Sequence, residues 1–178
     1  MIHLYELDIL EELSNTRGTS AKMAVLARGI GDSKFKELVM AALDPSRCFF
    51  IKKWSAQVKK HAVFKDNHNY LLSMLDKLSK RVLTGNAAIA EVETFMAGCS
   101  DLEEKWYSRV IRKDLKLGLD IKSFNKVGYS IPTFDVMLAK DGNDCKRLDS
   151  IVKSGAYASI KLDGYRCIAI IVNGGVQL

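Results

Sequence analysis

Residues 100–118 read SDLEEKWYSRVIRKDLKLG, Ser100 to Gly118. Ser100 and Glu103 have the spacing of a capping box, in which each side chain satisfies the other's backbone N–H. Leu102, Trp106 and Val110 then recur at helical spacing and mark a buried stripe. The pattern predicts a helix running to about Lys116, with Gly118 suited to a left-handed stop. On that helix Arg109, Arg112, Lys113 and Lys116 stand i, i+3, i+4 and i+7 apart, so they share one face.

Outward from this stretch the chain reads as mainly α. Asp120 caps a short helix on which Lys122 and Lys126 are again four apart. Two basic faces joined by a glycine turn either clamp a DNA backbone or pair with Glu103, Glu104 and Asp114 on the surface. Upstream, Leu4, Leu7, Leu10 and Leu13 form the apolar row of a helix over Tyr5–Leu13. Ser20 is placed to cap a second helix, Ala21–Ala27. A third, Ser33–Leu43, buries Phe35, Leu38, Val39 and Ala42 and ends at Asp44-Pro45, because proline disfavours helix in the residue before it. Cys48–Trp54 (CFFIKKW) is aromatic and basic, which suits core packing or a base-stacking platform. Asn69–Val82 is amphipathic through Leu71, Leu72, Leu75, Leu78 and Val82, and Asn86 is placed to cap a helix carrying Ile89, Val92, Phe95 or Met96, and Cys99.

Beyond Ile131-Pro132 the pattern changes. Asp141–Asp149 is polar, while Tyr157–Asp163 and Tyr165–Val172 read as strands. Asn173-Gly174-Gly175 is a hairpin-turn signal, with Val176-Gln177-Leu178 opening the next strand. The expected organisation is a helical domain over 1–130, followed over 131–178 by a linker and the first strands of an incomplete α+β domain.

Composition narrows the partners. The chain carries 27 Lys/Arg against 21 Asp/Glu. Residues 51–127 hold fifteen of those bases against nine acids, so the whole +6 excess sits there. Basic charge concentrated in this way suits a phosphate backbone, where each neutralised phosphate releases counterions. No apolar run approaches the roughly 20 residues of a membrane helix, and the N-terminus is acidic where a signal peptide is basic. These features point to the cytoplasm and away from membranes. The four cysteines and three histidines show no C-x-x-C or H-x-x-x-H spacing, so no metal ligand is assigned and the cysteines read as buried free thiols.

The six residues Lys161–Arg166, KLDGYR, set a lysine in an apolar, strand-like run and follow it with an Asp-Gly turn and an arginine. Upstream stand LTGNAAI (Leu83–Ile89), RVIRKDLKLG (Arg109–Gly118), NKV at Asn125 and IPTFDVMLA (Ile131–Ala139). In order and spacing these resemble the helical DNA-binding domain, linker and nucleotidyl-lysine motif of ATP-dependent DNA ligases of the T-even bacteriophage kind. The resemblance implies nick sealing in duplex DNA through a lysyl-AMP, with ATP and Mg²⁺ as cofactors. It implies Lys161 as the nucleophile and Arg166, Ser159 and Ile160 around the nucleotide. Asp163 and Gly164 would form the turn near the nick, and Arg109, Arg112, Lys113, Lys116, Lys122 and Lys126 would lie on DNA.

A lysine amine attacks only when neutral. From a reference pKa of about 10.4, roughly one in a thousand is neutral near pH 7.4, and burial or neighbouring positive charge raises that fraction. Ser159 departs from the ligase pattern, which favours an acid, Gln or His two residues before the lysine. The later family motifs and the OB-fold are not in these 178 residues. The chain is therefore expected to be an N-terminal portion without sealing activity of its own; a split gene with a separately encoded C-terminal remainder, a frameshift and a fragment all fit a stop at Leu178. A non-catalytic duplex-binding module and a truncated RNA ligase or capping nucleotidyltransferase are the alternatives.

Overall fold

The computed structural model describes residues 5–55, 66–133, 146–155, 157, 169–172 and 175–177, and they are mainly helical. The chain divides into two compact units, Met1–Asp135 and Val136–Leu178. In the first, seven helices follow in order among the described residues: α1 (Tyr5–Asn15), α2 (Thr19–Gly29), α3 (Ser33–Leu43), α4 (Asn67–Ser79), α5 (Gly85–Ala97), α6 (Asp101–Ile111) and α7 (Ile121–Val127). α1 packs on α2, α3 and α6; α3 also meets α4 and α6, and α2 meets α7.

Acidic caps set several helix starts. Asp32 Oδ1 accepts the Phe35 N–H at 2.7 Å, Asp66 accepts that of Asn69 at 3.1 Å, and Asp120 accepts that of Ser123 at 2.9 Å. The Ser100–Glu103 capping box is complete, with Ser100 N–H donating to Glu103 Oε2 at 2.8 Å. Such caps contribute roughly 0.5–2 kcal/mol each. Two expected caps are displaced. α2 begins at Thr19 after Gly18 at φ 85, which puts Ser20 inside the first turn. α5 begins at Gly85 with no side-chain cap, so Asn86 also lies inside its helix.

The core follows the apolar rows. Leu7, Leu10 and Leu13 of α1 meet Phe35, Leu38 and Val39 of α3 and Trp106 and Val110 of α6 in one buried cluster. Leu102 is only half-buried; Tyr107 and Ile111 complete the inner side of α6. α4 ends at Ser79, and Val82, expected on its apolar side, lies past it at 74% exposure. Cys99 is buried as expected, whereas Cys48 is exposed because the neighbouring Phe49 takes the inward position. Cys145 and Cys167 lie outside the described residues.

Polar ties cross this core. Lys105 donates to Glu11 Oε2 at 2.6 Å and the Trp106 indole donates to the same oxygen at 3.0 Å, joining α6 to α1. The Lys105 bond holds the Glu11 carboxyl below the usual carboxylate range. His68 Nε2 donates to Glu37 Oε2 at 2.9 Å, with Glu6 Oε1 3.8 Å from the other ring nitrogen. Past α7, Gly128 adopts the left-handed conformation (φ 105) and turns the chain back. Tyr129 then donates to the Leu26 carbonyl at 3.2 Å and meets Phe35 and Phe124 edge-on, at ring separations of 6.1 and 5.5 Å.

In the second unit α8 (Leu148–Ser154) falls partly within the stretch read as polar, and Leu148, Ile151 and Val152 on it are exposed. β1 (Ile170–Val172) and β2 (Gly175–Gln177) form an antiparallel pair with Val172 opposite Gly175. Of the turn expected at Asn173-Gly174-Gly175, Gly175 is the first residue of β2, and Asn173 and Gly174 lie outside the described residues. Most of the strand expected over Tyr157–Asp163 lies outside the described residues.

α2 approaches α3 through Gly29. A Cβ there would stand 2.7 Å from Phe35 Cε1 and 3.3 Å from Ile9 Cγ2, and neither neighbour has room to withdraw from the core. Gly29→Ala is therefore expected to destabilise the first unit by about 1–3 kcal/mol, as overpacking does. It should lower the urea midpoint while leaving the denaturant slope unchanged; an unchanged midpoint would contradict the packing argument.

Candidate nucleic-acid interface

The basic residues of 109–126 occupy three settings. α6 ends at Ile111, five residues before the expected Lys116, so the four cations do not share one helix face. The stop is a Schellman arrangement: Lys113 N–H bonds to Val110 O at 3.0 Å, and Asp114 N–H to Arg109 O at 3.0 Å. Its left-handed position is filled by Lys113 at φ 57, where glycine is usual.

Lys113 turns inward. Its amine donates to the carbonyls of Asp44 at 2.7 Å and Ala41 at 3.3 Å, the acceptors at the end of α3. It also lies 5.2 Å from the centroid of the Phe49 ring. Burial pulls its pKa below the ordinary lysine value, partly opposed by the Asp44 carboxylate. One lysine thus finishes two helices, α6 with its backbone and α3 with its side chain.

Past that stop, residues 114–119 form a loop fastened at alternate positions. Leu115 and Leu117 are buried. Arg109 donates to Leu115 O at 3.3 Å while its guanidinium lies 4.5 Å over the Trp106 ring. Lys22 of α2 donates to Leu117 O. Asp114 Oδ1 accepts the Lys116 N–H at 3.0 Å, and Lys116 itself sits at φ 52 and is exposed. The loop and the start of α7 border a depression of about 380 Å³, reaching from Leu43 to Phe124.

Arg109 and Lys113 are therefore spent on the fold, as is Lys22, which no sequence pattern singled out. The surface pairing that Glu103 and Asp114 could have offered is not what they do. Glu103 serves the cap and Asn67, and Asp114 serves the loop backbone. What remains displayed is Arg112, Lys116, Lys122 and Lys126, all exposed. Arg112 lies 4.4 Å over the ring of Trp54, which ties the α6 terminus to segment 47–55. Ser159, Ile160, Lys161, Asp163, Gly164 and Arg166 lie outside the described residues.

No protein-family model matches the chain. Curated relatives do: the DNA ligases of Enterobacteria phages T4 and T6 are each 30% identical over 170 residues, which is 92% of this chain. By sequence, the chain is a relative of the phage DNA ligases. It spans about a third (34%) of the length of those curated ligases. Among solved structures, Pmar-Lig_PreS3 aligns with a TM-score of 0.71 at 27% identity, and Pmar-Lig_Pre. with 0.69 at 28%. Each match covers 80% of this chain and 34% of the other. No helix among the described residues is long and apolar enough to cross a membrane.

The double role of Lys113 separates two substitutions. Lys113→Ala loses the amine and keeps the left-handed strain, whereas Lys113→Gly loses the amine and relieves that strain. Both are expected to lower stability, with alanine the worse by about 1 kcal/mol, the usual left-handed cost. Urea unfolding of the two variants compares them directly, and a glycine variant less stable than alanine would refute the account.

Proposed function

We propose that this chain supplies the duplex-binding helical domain and the nucleotidyl-lysine segment of an ATP-dependent DNA ligase. The observation that carries the reading is the display of Arg112, Lys116, Lys122 and Lys126 on a fastened loop and the helix after it, in a chain whose relatives are DNA ligases. Cations held on a rigid base meet phosphates at a lower ordering cost than cations on a mobile loop. Arg109, Lys113 and Lys22 shape the loop and stay off the DNA in this reading. The relatives' DNA substrate favours it over an RNA ligase or capping enzyme.

In the proposed chemistry the Lys161 amine bonds to the α-phosphorus of ATP, the bond to pyrophosphate breaks, and the amine loses its proton. Arg166, Ser159 and Ile160 would hold the nucleotide, and Asp163 and Gly164 would form the turn beside the nick. Mg²⁺ would offset phosphate charge. No group of His, Cys, Asp or Glu among the described residues could hold a metal ion, and the proposal assigns this chain no ligand for it.

The binding half is tested by titrating the full chain with intact and nicked duplex over a range of salt. Affinity should fall with a log–log slope of roughly −0.9 per phosphate neutralised. Alanine at Arg112, Lys116, Lys122 and Lys126 together should flatten that slope by about one unit for each cation that meets a phosphate. Binding that ignores salt, or survives the fourfold change, would refute the assignment.

The nucleophile is tested by co-expression with a ligase remainder and exposure to α-labelled ATP. Label should join this chain, vanish in Lys161→Ala and persist in Lys153→Ala. A label that survives Lys161→Ala would overturn the choice of lysine.

A further inference from the structure

Segment 47–55 holds an exposed aromatic that the fold does not need. Phe49 and Ile51 are buried at 2% and 8% exposure, and Phe50 between them is 63% exposed. Phe50 also has φ 59, a left-handed backbone that a bulky side chain adopts only under constraint. Over its ring, 4.5 Å from the centroid, lies the guanidinium of Arg81, which comes from the turn after α4. Arg81 is itself left-handed, at φ 60, and exposed. Two strained, exposed residues 31 positions apart are thus brought face to face with little burial to offset the strain.

Four residues on, a second cation–ring stack stands against the core. Trp54 is half-buried with Arg112 4.4 Å over its ring, and Lys52 and Lys53 between the two stacks are exposed. Between Asp44 and Asp66 the sequence holds six Lys/Arg and no Asp or Glu. Glu93 meets the segment at its far end, accepting the Ser55 N–H at 2.9 Å. Arg112 belongs both to this strip and to the displayed cations of the duplex-binding surface.

We propose that Phe50–Trp54, backed by Arg81 and Arg112, is a stacking strip for unpaired DNA bases, continuous with the duplex-binding surface. Phe50, exposed and with a cation on one face of its ring, can stack a base, whatever its identity, while Lys52 and Lys53 take the phosphates; Trp54 packs against the core and anchors Arg112 beside the strip. The charge selects a polyanion, and the exposed Phe50 ring selects its bases over a duplex backbone alone. The strip would hold the unpaired end of a frayed or displaced strand. This inference rests on the proposed duplex-binding reading, since it shares Arg112 with it.

The test compares the full chain on a blunt duplex, on the same duplex with a short thymidylate tail, and on free oligothymidylate. The tail should tighten binding. Phe50→Gly suits the left-handed backbone and so preserves the fold. It should remove most of the tail's advantage, roughly five- to a hundredfold as for the removal of one stack, and leave blunt-duplex affinity unchanged. Phe50→Trp should retain the advantage. Equal affinity for tailed and blunt duplexes, or an advantage that survives Phe50→Gly, would overturn the proposal and leave the strip to a protein partner. Failure to bind the blunt duplex would sink the duplex-binding reading instead, and Phe50-dependent affinity for oligothymidylate would still decide the strip.

Discussion

The Lys113 ammonium against the Ala41 and Asp44 carbonyls is the interaction on which the displayed surface depends. Carbonyls at a helix end need donors once neighbouring structure covers them, and a cation there also meets the negative end of the helix dipole. By reaching α3, the lysine fixes where α6 stops. That stop sends residues 114–119 back over the core, where Leu115 and Leu117 anchor them. A helix continued to Lys116 would carry the same charges along a straight rod. The actual stop spreads Arg112, Lys116 and α7 around a bend.

The cations accordingly divide into two kinds. Lys22, Arg109 and Lys113 give their donors to backbone carbonyls, and Lys105 gives its donor to Glu11. Arg112, Lys116, Lys122 and Lys126 stand exposed to solvent. Net charge does not reveal this division, since an inward lysine and an outward one count alike. For Lys22, Arg109 and Lys113 the distinction lies in the backbone they meet: helix ends and loop turns, where carbonyls lack partners.

The same physics sets what could be read from the sequence. The end of α3 was legible because Asp44-Pro45 acts within one turn of the helix end it defines. The Ser100–Glu103 box and the Asp120 cap are equally local. The end of α6 was not legible, because the carbonyls that reward a left-handed lysine stand 69 and 72 residues away in the chain. Gly118 is the obvious stop by residue type and does take a positive φ, but within the loop. Phe50 belongs to a stretch whose aromatic residues suit a core and a platform equally; tertiary packing splits them, with Phe49 inward and Phe50 outward. The Lys161 motif was legible only as sequence, through its likeness to a known chemistry.

Tyr129 has a consequence in time. Its hydroxyl bonds to Leu26, 103 residues earlier, and its ring closes over Phe35. α2 and α3 are made early in synthesis, yet the wall that seals them arrives only with residue 129. At about 5–20 residues per second, a nascent chain spends on the order of ten seconds with those helices uncovered on the ribosome. During that interval the N-terminal helices are open to chaperones and proteases, and the last turn of the domain decides when that vulnerability ends.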